Sequence, residues 1–308
     1  MVHRLPIDRA PVAWTNAGTG RKVVDTMVNT TNDAFDSLVF APGLNTYDDA
    51  RVHVGPWRFG HMSIRWVQAV RARGIAVVAL DPVGGRGLLA ETDRALTAFD
   101  RAFAASGTLD GCRRALVVGQ STGGLIGRAL ASLRPDRVRG VLSVGSPHLG
   151  APIADFAVAL HGGRPRLRAA LRLVGYDLDA RLSSLQDLSR AGASDFAKRH
   201  PLDPETRTSY ARCEAAGGEV AAPFRALDLV LKALGVDGHG DSDGFIPCAS
   251  QVFGRCMGRY RLDHYSQFGV TLQASRQERA RAESEFQRLV QDVLKSVETS
   301  APPADKDV

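Results

Sequence analysis

The sequence contains no stretch of about 18 consecutive uncharged apolar residues, the length from which a membrane-spanning helix is built. Residues 1–13 also lack the apolar segment of a secretory signal peptide. A mature secreted chain would lack that segment too, so its absence does not define the compartment. We therefore expect no transmembrane segment and leave the location open.

Cysteine is scarce, with only four residues, Cys112, Cys213, Cys248 and Cys256, and no CxxC pair. A disulfide scaffold needs more cysteines at closer spacing, and structural zinc sites are commonly built from such pairs. The zinc-protease motif HExxH is absent as well. The sequence therefore excludes a disulfide-scaffold protein, and we expect no metal and no other cofactor.

Lysine is scarce too: five of the 39 basic residues are lysine, and the arginines are spread along the chain. The net charge of +6 would favour nucleic-acid binding if the basic residues formed a run with interleaved aromatic residues, but no such run occurs. We expect a solvated, arginine-rich surface and no nucleic-acid partner. The oligomeric state is left open.

Apolar, β-branched runs bounded by turn residues predict buried parallel strands, and segments of helical periodicity lie between them. Strands are predicted at Ser37–Phe40, Ile75–Leu80, Ala115–Val118 and Val138–Val144, and helices at Met62–Arg73, Leu88–Phe103 and Leu125–Leu133. This alternation is typical of an α/β protein with a doubly wound, mostly parallel sheet.

The alternation stops at about residues 151–200, where arginine-rich apolar stretches predict a helical insertion over the sheet. A long final helix is predicted because apolar residues from Phe286 to Val297 repeat at intervals of three and four. We therefore expect an N-terminal extension (1–34), one domain (35–298) with the insertion, and a disordered tail (299–308).

A G-x-S-x-G segment, Gly119 to Gly123, follows the predicted strand Ala115–Val118 and precedes a helix. The pattern alone recurs by chance, but this context is that of a nucleophile elbow, in which a serine occupies a strained strand-to-helix turn. Small residues two positions on either side allow the backbone to pack closely there. Ser121 is the predicted nucleophile.

A serine hydroxyl needs a histidine to take its proton, and in such folds the acid and then the histidine follow the serine along the chain. His264 is favoured because it follows a predicted late strand, Gly258–Leu262, and precedes the final helix. His161, His200 and His239 are expected at the surface. His148 comes too early and is expected to be structural.

The acid should follow the predicted strand Ser209–Cys213, and Asp237, Asp241 and Asp243 all meet that condition. We favour Asp243 because the glycine and apolar residues after it mark a turn back into packed structure. A solvated or cation-binding loop remains the alternative.

Two backbone N–H groups should stabilise the oxyanion that forms during acyl transfer. One belongs to the residue after the nucleophile, Thr122. For the other we choose Leu44, in the loop after the first predicted strand, where Gly43 allows the turn.

Together these segments resemble the bacterial triacylglycerol lipases of the Pseudomonas and Burkholderia type. The matching segments lie between about Ser37 and Phe268 and are Pro42-Gly43-Leu44, the Ser121 elbow, Gly145–Gly150, Ser242–Cys248 and Leu262-Asp263-His264. The resemblance implies an α/β-hydrolase fold, a lid after Gly150, and an ester or lipid substrate at a lipid–water interface. It implies an exported enzyme, and gives Asp243 and His264 the acid and base roles.

The sequence departs from that family at three positions. Pro42 and Gln120 stand where the family usually has histidines, which puts the substrate preference in doubt. Ser266 replaces an aspartate that binds the family's structural calcium, so we expect no calcium there. The resemblance also suggests a Cys213–Cys248 disulfide, with two buried free thiols as the alternative; Cys112 and Cys256 are expected to be buried thiols.

The sequence thus predicts a lipase-like serine carboxylic ester hydrolase that forms an acyl-enzyme on Ser121. A polyester depolymerase, a thioesterase and an acyltransferase are alternatives, because the same fold and residues serve them all. A non-catalytic, hydrolase-like binding protein is the alternative from another class.

Overall fold

The computed structural model describes residues 35–43, 51–54, 57–61, 64–81, 83, 86–163, 182–221, 225 and 241–298. The predicted N-terminal extension (1–34) and tail (299–308) lie outside these residues. So do the oxyanion candidate Leu44, the acid candidate Asp237 and His239.

A parallel six-stranded sheet forms the centre of the described part of the chain, and a separate antiparallel hairpin accompanies it. The sheet has the order β4-β1-β5-β6-β7-β8. Its strands are β1 (Ser37–Ala41), β4 (Ala76–Ala79), β5 (Ala115–Gln120), β6 (Val138–Val144), β7 (Arg207–Cys213) and β8 (Arg255–Tyr260), and the hairpin strands are β2 (Arg51–Val54) and β3 (Trp57–His61).

The helices lie between and after the strands. They are α1 (Ile64–Arg71), α2 (Leu88–Phe103), α3 (Thr122–Leu133), α4 (Pro152–Gly163), α5 (Leu182–Leu188), α6 (Arg190–Arg199) and α7 (Arg276–Glu298). Among the described residues, no helix combines the length and apolar character that crossing a bilayer requires.

Side chains alternate between the two faces along each buried strand, so both faces of the sheet are apolar and both are covered by helices. In β1, Val39 points to the face that packs against α2 and α3, where Phe99 and Leu125 lie. Leu38 and Phe40 point to the opposite face, which α1 and α7 cover. The predicted doubly wound, mostly parallel α/β sheet is therefore confirmed.

The predicted elements differ from the observed ones mainly at their ends. β8 runs from Arg255 to Tyr260, whereas the sequence predicted a strand at 258–262, and α3 begins at Thr122, three residues before the predicted start. The β2–β3 hairpin was not predicted. Its two strands read RVHV and WRFGH, in which charged and polar residues interrupt the apolar run by which the buried strands were recognised.

Two predictions of exposure are wrong. His200 is only 6% exposed, because the C-terminal end of α6 packs on α3, where Arg128 donates a hydrogen bond to the His200 carbonyl. The imidazole packs against Phe196. Cys256 was expected to be buried but is exposed, because it lies on β8 at the edge of the sheet.

Candidate active site

Ser121 lies at the junction of β5 and α3 in a backbone conformation that non-glycine residues rarely adopt. Its φ is 53° and its ψ is −131°, and Ser106 is the other non-glycine residue with positive φ in the described part of the chain. Such strain is found most often at functional sites. The turn is held because the Ser121 N–H donates to the Val144 carbonyl at 2.9 Å, which ties it to β6.

The glycines of the G-x-S-x-G segment are required by close backbone approach. A Cβ added to Gly123 would overlap the main-chain oxygen of Ala41, at the end of β1. A Cβ added to Gly119 would overlap the main chain of Gly123. The predicted reason for these small residues is therefore confirmed, because only glycine lets the backbone segments around the serine turn approach this closely.

His264 lies in the loop after β8, next to the serine that is remote in sequence. Its Nε2 atom is 3.0 Å from the Oγ atom of Ser121, and its Nδ1 atom is 2.8 Å from the Oδ2 atom of Asp243. The main-chain N–H of His264 also donates to the main-chain carbonyl of Asp243 at 3.0 Å, which joins the two loops. Three residues that the sequence singled out separately thus form one hydrogen-bonded series.

Asp243 is fully buried at a tight turn, where its carboxylate has several hydrogen-bond donors. Its Oδ1 atom accepts from the N–H groups of Phe245 and Ile246, at 3.0 and 2.6 Å. The other candidate, Asp241, has a side chain that is 82% exposed and forms an ion pair with Arg212. Of the two described candidates, Asp243 is therefore the one that contacts the histidine.

A glutamine that the sequence analysis did not single out completes the surroundings of this carboxylate. The Nε2 atom of Gln267 donates to the Asp243 Oδ2 atom at 2.6 Å, and its Oε1 atom accepts from Gln120 at 2.8 Å. Gln267 follows His264 by three residues and shows no motif. Only its short distance along the chain from the histidine gave a signal.

The two oxyanion candidates differ in what the structure describes. Thr122 is the first residue of α3, and N–H groups in the first turn of a helix have no intrahelical acceptor, so they can receive an anion. Leu44 lies outside the described residues, but Gly43 before it passes directly against the serine. A Cβ on Gly43 would lie 2.6 Å from the Ser121 Cβ.

His148 has the structural role that the sequence predicted. Its Nε2 atom lies 2.7 Å from the hydroxyl of Ser143 on β6, and its ring stacks on Phe253 with centroids 3.9 Å apart. Burial lowers the pKa of His148 to about 3, and the positive charge of Arg128 adds to that effect. The imidazole is therefore neutral at ordinary pH.

The residues around Ser266 do not fit the calcium site that the resemblance would suggest. The Asp263 carboxylate accepts from the N–H and hydroxyl of Ser266 and from the N–H of Ala221, so protein donors already occupy it. The described residues hold no group of three or more His, Cys, Asp or Glu side chains suited to a metal ion. Calcium would need more oxygen ligands than this cluster offers.

Cys213 and Cys248 are buried free thiols. The structure therefore agrees with the alternative and not with the disulfide that the resemblance suggested. The Cys248 Sγ atom lies 3.4 Å from the Cys213 carbonyl. Burial raises the pKa of Cys248 to about 11 and that of Cys213 well above its ordinary value, so both remain protonated and unreactive at neutral pH.

The candidate site is nearly closed to solvent. Ser121 is 4% exposed and His264 8% exposed, and the ring of Phe245 packs 5.1 Å from the imidazole. Asp187 in α5 accepts from the Leu88 N–H at the start of α2, which joins these two helices. The nucleophile and the base are therefore largely buried.

Solved structures with the α/β-hydrolase fold are similar to this chain over most of its length. Staphylococcus hyicus lipase has a TM-score of 0.59 at 14% identity, over 90% of this chain and 99% of that one. Mature Bacillus licheniformis lipase BlEst2 has 0.56 at 14%, over 85% and 95%, and the metagenomic carboxyl esterase MGS0156 has 0.56 at 19%, over 93% and 81%. No family model matches the chain.

These similarities establish the fold. At such low identity they do not transfer an activity, and they do not single out the Pseudomonas and Burkholderia type from other bacterial lipases and esterases. That finer resemblance remains a prediction.

Proposed function

We propose that this chain is a lipase-like serine carboxylic ester hydrolase that forms an acyl-enzyme on Ser121. The main support is the hydrogen-bonded series from the Ser121 hydroxyl through His264 to the buried carboxylate of Asp243. Further support comes from the strained elbow that holds the serine. Nucleophile, base and orienting acid in this geometry are what acyl transfer requires.

In the acylation step, the Ser121 oxygen attacks the ester carbonyl carbon while His264 Nε2 accepts the hydroxyl proton. The Asp243 carboxylate, bonded to Nδ1, holds the imidazole in the tautomer that leaves Nε2 free to accept, and it stabilises the imidazolium. The tetrahedral intermediate then collapses. The bond to the alcohol oxygen breaks, and the leaving alcohol takes the proton from His264.

In the deacylation step, water replaces the alcohol. His264 accepts a proton from water as the water oxygen attacks the acyl carbon, and the returned proton restores the Ser121 hydroxyl when the carboxylic acid leaves. The N–H groups of Thr122 and Leu44 stabilise the oxyanion in both steps. No cofactor takes part.

The substrate class rests on what the similar proteins are named for. Two are lipases and one is a carboxyl esterase, so acyl esters, including triacylglycerol and related lipid esters, are the proposed substrates. We propose that the insertion at 151–200 acts as a lid, as the resemblance implies, and the low exposure of Ser121 agrees with a covered site. A lid of this kind predicts higher activity on emulsified tributyrin than on the same ester below its solubility limit.

The test is hydrolysis of p-nitrophenyl esters of increasing acyl length by the wild-type protein and by Ser121→Ala. The expected result is turnover by the wild type and only the background rate with the variant, whose circular-dichroism spectrum should be unchanged. Equal turnover by the two proteins would overturn the assignment of Ser121. No turnover on esters, thioesters or polyester film would favour a binding protein.

A further inference from the structure

Asp243 has a second side-chain partner besides the histidine. Its Oδ2 atom, which accepts from His264 Nδ1 at 2.8 Å, also accepts from Gln267 Nε2 at 2.6 Å. All of Asp243 and Gln267 is removed from solvent. In such a setting a hydrogen bond to a carboxylate is stronger than in water, and losing it is correspondingly costly.

The orientation of the Gln267 amide follows from hydrogen-bond chemistry. An ionised carboxylate only accepts, so the NH₂ group of Gln267 must face Asp243 and its oxygen must face away. That oxygen accepts from Gln120 Nε2 at 2.8 Å. Gln120 therefore selects the orientation in which Gln267 donates to the acid. Gln120 is the last residue of β5, directly before the serine.

Gln267 is held in place along its main chain as well. Its carbonyl accepts from the Trp66 indole N–H at 3.0 Å, and its own N–H donates to the Asp263 carbonyl at 3.3 Å. The side chain passes against Gly145, where any Cβ would overlap the amide. Gln267 therefore has little freedom to turn away from Asp243.

We propose that Gln267, oriented by Gln120, is a positioning residue that fixes the Asp243 carboxylate and limits how strongly it stabilises the protonated form of His264. The inference rests on the proposed function, since it concerns the same acid and base. The Oδ2 atom of Asp243 accepts hydrogen bonds from both Gln267 and the imidazole, so the two donors compete for its negative charge. Without it, the carboxylate would interact with the imidazolium alone and would have one fewer fixed contact.

The change that isolates this role is Gln267→Met, which keeps the side-chain volume and removes the donor. We expect kcat for a short p-nitrophenyl ester to fall about 10-fold with KM unchanged, because the carboxylate without this hydrogen bond no longer holds the imidazole in one position for proton transfer. We also expect the acid limb of kcat/KM against pH to move upward, because a carboxylate that no longer accepts from Gln267 stabilises the imidazolium more strongly.

Gln120→Met should give a smaller change in the same direction, since it releases the orientation of the Gln267 amide and also removes a longer contact, at 3.4 Å, from Gln120 Nε2 to the His264 carbonyl. The double variant should lose much less than the sum of the two single losses, because both act mainly through the bond from Gln267 to Asp243. Gln273→Met is the matched control: this glutamine is also buried, but it bonds to Ser266 and to the Glu219 carbonyl. Its acid limb should stay at the wild-type pH.

The experiment is the pH profile of the four variants and the wild type, with folding checked by circular dichroism. An unmoved acid limb in Gln267→Met, or additive losses in the double variant, would overturn the inference while the proposed function stood. If Gln267→Met does not fold, Gln120→Met must show the upward shift alone. Failure of Ser121→Ala to reduce turnover would instead overturn the proposed function, and the inference with it.

Discussion

The Nε2 atom of His264 lies 3.0 Å from the Oγ atom of Ser121, although 143 positions of sequence separate the two residues. The parallel sheet explains the meeting, because the loops after β5 and β8 both follow the carboxyl ends of their strands and so lie at the same end of the sheet. Two strands, β6 and β7, lie between them, so the loop after β8 must return across the sheet. The main-chain bond between His264 and Asp243 holds that loop in place.

The role of the acid is tested by Asp243→Asn. The amide replaces an atom that accepts from His264 Nδ1, so it favours the wrong imidazole tautomer and removes the charge that stabilises the imidazolium. We expect kcat for a p-nitrophenyl ester to fall by about 10,000-fold with little change in fold.

Asp241→Asn is the control for the acid, because Asp241 is close in sequence but exposed and paired with Arg212. It should keep its activity to within about 2-fold, in line with the small effect of surface ion pairs. Loss of activity in Asp241→Asn with retention in Asp243→Asn would reverse the assignment.

The elbow glycines should tolerate no side chain. In Gly123→Ala the new methyl group would meet the Ala41 carbonyl, which belongs to the backbone of the central sheet and cannot turn aside. We expect the free energy of unfolding, measured with urea, to fall by about 3 kcal/mol, together with the turnover.

Gly258→Ala is the comparison for this overlap. Its methyl group would lie 3.2 Å from the hydroxyl and 3.4 Å from the ring of Tyr260, so it would meet side-chain atoms at near-contact distance and would not overlap the backbone. A change within about 1 kcal/mol is expected there. Equal stability of the two variants would show that the backbone at Gly123 has room for a methyl group.

His148 should make the fold less stable in acid. Its pKa is lowered from 6.5 to about 3 in the folded chain, so below pH 6.5 the unfolded chain binds a proton that the folded chain does not. The free energy of unfolding should therefore fall as the pH drops from 6.5 to 3, at a limiting slope of about 1.4 kcal/mol per pH unit from this residue.

His148→Gln removes that titration while keeping a polar group near Ser143. Urea unfolding at several pH values should show a shallower loss of stability than in the wild type over the same interval. Parallel curves for the two proteins would mean that His148 is protonated in the folded state.

Much of the fold was predictable because its central strands, β1, β5 and β6, are buried on both faces and read as apolar runs. The serine was predictable for a similar local reason: strand, tight turn and helix follow one another along the chain from Ala115 to Leu133. His264 needed the additional rule that the acid and base follow the nucleophile in order. None of these inferences required a long-range contact to be known.

Other features depend on contacts that no local pattern records. The turn after Asp243 favoured it in the sequence, but its contact with the imidazole and the exposure of Asp241 depend on how the loops pack. Gln267 has no motif, and its bond to the carboxylate depends on Gln120, from a strand far away in sequence. The burial of His200 likewise follows from the packing of α6 on α3.

The central claim is tested most directly by locating the adduct of a fluorophosphonate probe by peptide mass spectrometry of the folded protein. The account predicts a single adduct on Ser121, much slower labelling of His264→Ala because the proton acceptor is lost, and none in Ser121→Ala. No adduct in the folded wild-type protein, or an adduct on a different residue, would contradict it.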